Sequence, residues 1–306
     1  RFCSSGLQTI ATAANSIIAG QNDIVAAGGV EFMSSLPMGG NEATNNPTLQ
    51  DEGPKTGIPM GITAENVADK YNISREDQDA FAVESHRRAA KAQEEGKFDE
   101  IIPVDAKTPK YTENGVEMAT TVFDKDETVR PGTSMETLAK LPTAFRRNGT
   151  VTPGQSSPIT DGAGFVVLMS GDKVKELGVK PIAKFVGFKV AGVSPEIMGI
   201  GPVEAVPAVM KLTGLTLEDM DLIEFNEAFG SQIIASMREL NMDPEITNVN
   251  GGAISLGHPL GATGAIMTAK ILSEMKRRKD SKYGLITMCI GGGMGAAGIL
   301  EYVGER

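Results

Sequence analysis

Tryptophan is absent from this 306-residue chain, and cysteine and histidine occur only twice each. Two cysteines, Cys3 and Cys289, stand near opposite ends and cannot build a disulfide framework, and two histidines make a zinc site a poor expectation. Free thiols fit a reducing compartment. No apolar run is long enough to cross a bilayer, and Arg1-Phe2-Cys3-Ser4 does not make a signal peptide. Positive charge is also scarce: 29 Lys and Arg face 39 Asp and Glu, a net charge of -10 that disfavours long-range attraction to nucleic acid or anionic membranes. The one basic run, Lys276-Arg277-Arg278-Lys279, ends a predicted helix, where cations complement the helix dipole.

What the chain does have is glycine, 36 residues of it, and a hydrophobic content of 41%, which suit a large core with many tight turns. Two domains, or one carrying a large insertion, are expected at this length. Apolar spacing predicts a helix over Ser4 to Ala19, closed by Gly20, then a buried strand from Asp23 to Val30. From about Ser34 to Pro54 the sequence reads as loop. Polar amphipathic helices are expected over Thr63 to Tyr71 and Ser74 to Gly96, the second opening on an N-cap serine, with short strands near Ile101 to Val104 and Thr120 to Phe123. Asp161 to Met169 is a further buried strand.

Beyond it the pattern alternates. Strands are predicted at Ile182 to Val190, Leu222 to Phe225, Ala253 to Leu256, Leu285 to Met288 and Ala296 to Tyr302, and helices at Val203 to Thr213, Ala228 to Leu240 and Ala262 to Met275. That is a βαβαβαββ unit of the α/β class with a mostly parallel sheet covered on both faces. The turn, helix, strand and final strand at its end repeat the order of residues 4–30 and 161–169, so the chain reads as two copies, the first interrupted by an insertion. The boundaries are 1–33 with 158–172 for one half, 34–157 for the insertion and 173–306 for the other half. By analogy with 181–256, about 75 residues of strand and helix are expected before Arg1, since each parallel crossover needs its helix.

The repeat locates the chemistry. Cys3 and His258 fall at equivalent strand-to-helix corners, so a pseudo-twofold arrangement turns both toward one centre. Cys3 precedes a helix N-terminus, where free N–H groups and the dipole stabilise a thiolate, and a nearby histidine would raise the thiolate fraction. Cys289 ends a strand and leads into Ile290-Gly291-Gly292-Gly293, a bare backbone able to approach a ligand. His86, in Glu84-Ser85-His86-Arg87-Arg88, is expected on a solvated helix face. Met33, Met38, Met60 and Met198 group around the expected site.

Cys3-Ser4-Ser5-Gly6, Asn226-Glu227-Ala228-Phe229, Gly257-His258-Pro259 and Cys289-Ile290-Gly291 together resemble the four signatures of thiolases, in order and at suitable separations. The resemblance extends to Asn248-Val249-Asn250-Gly251-Gly252-Ala253 and to the insertion, which is similar to the thiolase loop domain. It is greatest for the 3-ketoacyl-CoA thiolases of peroxisomal type, because Pro59 stands where acetoacetyl-CoA thiolases tend to have histidine. The resemblance implies a thiolase fold, with the first half truncated, and thiolytic cleavage of 3-ketoacyl-CoA by CoA, as in fatty acid beta-oxidation.

In that scheme Cys3 is the nucleophile, His258 activates it and Asn226 completes an oxyanion site through water. Cys289 is the acid and base, and the N–H groups of Gly291 and Cys3 form a second oxyanion hole. Arg130, Ser157, Met60 and Phe229 match positions that contact CoA or line its pocket. No metal or other cofactor is implied beyond the substrates CoA and acyl-CoA. The family also implies a homodimer or homotetramer at full length. Peroxisome is the implied compartment, with mitochondrion and cytoplasm open, since Gly304-Glu305-Arg306 is not a Ser-Lys-Leu ending. Phe2, Phe32 and Gln155 depart from the family pattern. Acetoacetyl-CoA synthesis, a catalytically silent thiolase-like fragment and a decarboxylating ketoacyl synthase are the alternatives; the synthase would have a second histidine in place of the Asn226 motif.

Overall fold

In the computed structural model the described residues are 1–38, 40, 46–48, 56–278 and 280–304. The chain opens on a 3-10 turn, Phe2–Ser4, that runs into α1 (Ser5–Ile18) and β1 (Ile24–Phe32). Then come α2 (Met60–Tyr71), α3 (Arg75–Glu94), a hairpin of β2 (Val104–Thr112) and β3 (Gly115–Phe123), and α4 (Met135–Ala139). β4 (Asp161–Met169) and α5 (Gly171–Leu177) precede a second alternating series: β5 (Ala183–Gly192), α6 (Gly201–Thr213), β6 (Leu222–Phe225) and α7 (Gly230–Leu240). The series ends with α8 (Ala253–Leu256), α9 (Leu260–Arg277), β7 (Tyr283–Ile290) and β8 (Met294–Tyr302).

The central sheet has the order β5-β8-β7-β6. Only β6 and β7 run parallel; β8 is antiparallel to both its neighbours, which corrects the expectation of a mostly parallel sheet. The reason is local: β7 turns back through Gly291–Gly293 into β8, and Gly292 and Gly293 have φ of 85° and 95°, so the link is a tight turn and not a crossover helix. The strand expected at Ala253 to Leu256 is a single helical turn, α8, with Leu256 N–H donating to Gly252 O and Gly257 N–H to Ala253 O. Four residues, Ala253-Ile254-Ser255-Leu256, are too few to carry a periodicity that separates the two. The neighbour of β6 on that side is the segment around Thr247, bridged in parallel to Ile223.

Helices cover both faces of this sheet. On one side Val206 and Val209 of α6 and Ile233 of α7 pack on Ile223, Phe225, Leu285 and Ile299. On the other, Leu7 of α1 and Met267, Ile271 and Met275 of α9 pack on Leu222, Ile286, Met288 and Leu300. Beyond α1 and α9 lies a second sheet, β1 paired antiparallel with β4, whose inward side chains include Val25, Ala27, Val166 and Leu168. Both strands were expected to be buried. Instead Val30, Phe32, Phe165 and Val167 on the outer face are 54–69% exposed. The interior between the sheets is an α1–α9 contact close enough that it depends on glycine: a Cβ on Gly6 would lie 2.7 Å from Ala265 N, and one on Gly264 2.3 Å from Leu7 N.

The strand expected at Thr120 to Phe123 is the end of β3, whereas of Ile101 to Val104 only Val104 is strand, the first residue of β2; the hairpin β2–β3 is largely exposed on both faces and therefore without apolar alternation. Helix α3 has the expected cap: Ser74 Oγ accepts from Asp77 N–H at 3.0 Å, and Asp77 reaches back to Ser74 N–H. Of the basic run, Lys276 and Arg277 lie in the last turn of α9. Arg277 pairs with Asp99 and Glu274, and Arg278 with Glu274. Lys279 lies outside the described residues, as does much of the expected loop at 34–54. No described helix is long and apolar enough to cross a membrane.

Candidate active site

Because α1 and α9 touch backbone to backbone, their N-terminal ends meet. Cys3 stands in the 3-10 turn ahead of α1, and His258 two residues ahead of α9. The residue before the nucleophile candidate, Phe2, has φ of 43°, a left-handed conformation uncommon for a bulky side chain and often kept where function fixes the backbone. On the other side, Gly257 turns the chain at φ 99°. Glu31, at the end of β1, accepts from Gly261 N–H at 2.9 Å and so ties the second sheet to the first turn of α9.

Cys3, His258, Cys289 and Gly291 line one cavity of about 1960 Å3, larger than the space a drug-sized ligand needs. Arg130, Ser157, Met60 and Phe229 line it as well, as do Met33, Met38 and Met198. Asn226 does not; it lies behind His258 at 2% exposure. Asn226 and Cys289 sit at the carboxyl ends of the parallel strands β6 and β7, with Asn226 N–H donating to Thr287 O at 3.0 Å. Such strand ends are where ligands bind in open α/β sheets.

The imidazole is clamped on both nitrogens. Asn226 Nδ2 is 3.3 Å from Nε2, and Thr263 Oγ1 is 2.7 Å from Nδ1. An amide nitrogen only donates, so Nε2 accepts, and Nδ1 carries the proton and donates to Thr263. Full burial lowers the His258 pKa from 6.5 to about 4, so the ring is neutral at pH 7, with its unprotonated nitrogen toward Asn226. Asn226 Oδ1 is buried with no hydrogen-bond partner among the described residues. No hydrogen bond joins His258 to Cys3 among the described residues.

The two thiols differ. Burial raises the Cys3 pKa, and the backbone N–H groups of Gly291 and of Cys3 itself, near its sulfur, offset only part of that rise. Cys289 is 1% exposed among Ala64, Val151, Met198 and Phe229, and burial together with the neighbouring Cys3 sulfur pushes its pKa far up. One sulfur therefore has donors ready for negative charge, and the other holds a proton in an apolar wall.

Several residues of the site went unnoticed in the sequence. Thr263 is one, although a hydroxyl five residues after a histidine on the buried stripe of a helix is a usable signal. Glu227 was quoted within its motif but given no role: its Oε2 accepts from Ser85 Oγ at 2.6 Å and Ile254 N–H at 3.2 Å, and its Oε1 accepts from Asn248 Nδ2 at 2.8 Å. That carboxylate binds α3, the Asn226 loop and the segment leading to His258 into one body. His86 corrects an expectation outright, for it is 6% exposed, lines the cavity and accepts from Arg130 N–H at 3.2 Å. Ser157 N–H donates to Ala228 O at 3.1 Å, and Phe229 meets Phe145 edge to face at 5.9 Å. Gln155 is fully buried and donates to Asp79 and Thr150 O. No group of three His, Cys, Asp or Glu suited to hold a metal ion occurs among the described residues.

The family model described as "Thiolase, N-terminal domain" matches residues 1–172, and "Thiolase, C-terminal domain" matches 179–302. The chain is 54% identical to the 3-ketoacyl-CoA thiolase of Bacillus subtilis over 303 residues, covering 98% of this chain and 77% of that protein. Among solved structures, the dimeric peroxisomal thiolase of Saccharomyces cerevisiae superposes with a TM-score of 0.89 at 41% identity, over 99% of this chain and 75% of that one. Human mitochondrial 3-ketoacyl-CoA thiolase in complex with CoA gives 0.87 at 40% identity, over 99% and 76%. With both domain models matched in sequence and the fold shared along its whole length, the chain belongs to the thiolase family.

Proposed function

We propose that the chain carries the chemistry of a 3-ketoacyl-CoA thiolase, an acyltransferase that uses CoA to cleave 3-ketoacyl-CoA into acetyl-CoA and a shortened acyl-CoA, the reaction of fatty acid beta-oxidation. The observation that supports this most is the meeting of two dissimilar buried thiols and the Gly291 N–H at one cavity. Cys3 gives its proton to His258 as its sulfur attacks the keto carbon. The bond between that carbon and the adjacent methylene breaks, and the acetyl-CoA enolate leaves, taking its proton from Cys289. The acyl group remains on Cys3 as a thioester. CoA then enters, its thiol proton passes to the Cys289 thiolate, and its sulfur attacks the Cys3 thioester. Cys3 leaves and recovers its proton from His258.

A thioester or keto oxygen that becomes anionic needs donors in place. The N–H groups of Cys3 and Gly291, already directed at the Cys3 sulfur, suit one such oxygen. His258 in its protonated form suits the other, together with a water accepted by the unpaired Asn226 Oδ1. One missing oxyanion donor lowers the rate by about 10²–10³-fold. Pro59 and a cavity of this size favour a longer acyl chain over acetoacetyl-CoA.

Residues 34–157 serve as the CoA-binding insertion, with Arg130, Ser157, Met60 and Phe229 at the nucleotide, pantetheine and acyl parts of the substrate, and 1–33 with 158–172 and 173–306 as the two pseudo-symmetric halves. A dimer is the assembly that goes with this reading, and peroxisome the compartment, both as in the yeast relative, with mitochondrion and cytoplasm the competitors. The test is chromatographic. Incubation with CoA and a 3-ketoacyl-CoA of eight or more carbons should release acetyl-CoA and an acyl-CoA two carbons shorter. Products from acetoacetyl-CoA alone would make the chain an acetoacetyl-CoA thiolase, and none from either would contradict the proposal.

A further inference from the structure

Lys270 is a buried cation that the chemistry above does not use. It stands about three turns into α9, among the residues that helix buries, and is 5% exposed. Burying an ammonium is unfavourable unless its charge and its N–H groups find partners, and a pair of apolar residues often fills the same space with no loss of stability. What Lys270 holds is therefore informative.

Its Nζ donates to Glu224 Oε2 at 2.8 Å and to Gly251 O. Glu224, 4% exposed, lies on β6 two residues before Asn226, the amide that donates to His258 Nε2. Gly251 opens the segment that runs through α8 and Gly257 to His258. One turn further along α9, Glu274 Oε2 accepts from Asn250 Nδ2 at 2.9 Å. Helix α9 thus holds residues 250–258 at both ends, by the chain itself at His258 and Pro259 and by side chains at Asn250 and Gly251. Lys270 also joins this loop to the strand end that carries Asn226. Asn248 and Glu227 link the same two pieces at other points, so losing Lys270 should shift the loop without releasing it. Burial pushes the Glu224 carboxyl up, and the charge and hydrogen bond of Lys270 pull it down, so the two residues act as a unit.

We propose that Lys270 is a positioning residue for the catalytic base: paired with Glu224 and holding Gly251 O, it sets where His258 lies relative to Asn226 and Cys3. The role rests on the thiolase reading above, in which His258 takes the Cys3 proton, and adds to it a residue outside the cavity.

The variant that tests it is Lys270→Met/Glu224→Leu. Both charges go together, so the net charge is unchanged and no carboxylate is left buried alone; Lys270→Met by itself shows what that stranded group adds. The first readout is nitrogen NMR of isotope-labelled histidine near neutral pH, which needs no turnover. The two histidines are separable, because His258 carries its proton on Nδ1, whereas the Nδ1 of His86 accepts the Arg130 N–H and leaves the proton on Nε2. In the double variant the His258 ring should show both tautomers in place of one, and the His86 ring should stay as it was. The second readout is kinetic: kcat should fall by about 10–10²-fold, the effect of a misplaced group, with KM for CoA unchanged.

A His258 ring that keeps its single tautomer in the double variant would overturn the proposal whatever happens to the rate, and so would an unchanged kcat, for the pair would then serve stability alone. Equal changes in both rings, or a loss of rate that lies in KM, would overturn it as well, since either means general disruption of the site. Absence of thiolysis in the unaltered protein would count against the enzyme reading, and the His258 tautomer in the double variant would still decide whether Lys270 sets the ring.

Discussion

The corners that present Cys3 and His258 are built alike and charged differently. Each precedes a helix, and the two helices are pressed together at Gly6 and Gly264, which fixes the spacing of the corners. Yet the Cys3 corner directs backbone N–H groups at its sulfur, whereas the His258 corner surrounds its ring with one hydroxyl and one amide and strips it of water. Two helices packed at their N-terminal ends thus bring the positions together, and the few side chains around each position make one a site for negative charge and the other a neutral base. Cys289 completes the contrast as a thiol kept protonated by its apolar wall.

The largest expected change follows from removing the base. His258→Gln should lower kcat by about 10²–10⁴-fold, the usual contribution of a positioned acid or base, while leaving the cavity in place. The same variant has a signature in stability. Folding lowers the His258 pKa from 6.5 to about 4, so between these values the unfolded chain binds a proton that the folded chain does not. Stability from this group therefore rises with pH across the window and is lost on acidification by about 1.4 kcal/mol per pH unit. Urea unfolding at pH 7 and pH 5 should show a smaller acid loss in His258→Gln than in the unaltered protein; equal losses would mean that the ring is not buried neutral.

Next in size is Cys289→Ala. Acylation of Cys3 by a 3-ketoacyl-CoA should persist at a reduced rate, but exchange of the acetyl-CoA methyl protons with solvent, read by NMR, should fall about 10²-fold or more. Exchange at the normal rate would move the acid and base role elsewhere. The smallest effect tests the packing that unites the corners. In Gly6→Ala the new methyl would meet Ala265 N at 2.7 Å; such overpacking costs about 1–3 kcal/mol and should lower Tm. An unchanged Tm would show that the helices can part, and the geometric link between the corners would then fail.

Legibility in the sequence followed the physics of each element. β4 was readable to its ends, Asp161–Met169, because glycine and apolar residues stop abruptly at polar neighbours. What such a run does not reveal is who lies beside it. Both sheets are built of Ile, Val, Ala and Gly, but β6 is buried throughout while β1 and β4 alternate, so composition alone gave the wrong burial for the second sheet. β8 was read as following β7 without a helix between them, yet its antiparallel direction, which the turn at Gly292 and Gly293 sets, was missed because the alternation before it suggested a mostly parallel sheet. The motif residues Cys3, His258 and Cys289 stood out as rare residue types beside glycine, whereas Glu227 and Thr263, which hold neighbouring groups, belong to common types.

His86 shows the same limit from the other side. Glu84, Arg87 and Arg88 around it suggested a solvated face, and those three do form ion pairs. The buried residues of α3, however, include Ala82, Ser85, His86, Ala89 and Ala92. Their spacing of three and four residues was present in the sequence as a stripe of small side chains, and the histidine sits in it.

The most direct measurement of the central claim is intact-mass spectrometry of the protein mixed with a 3-ketoacyl-CoA, followed by peptide mapping. The account predicts one acyl group, carried by Cys3, that disappears when CoA is added and never forms in Cys3→Ala. An acyl group on Cys289, or its persistence in Cys3→Ala, would contradict it.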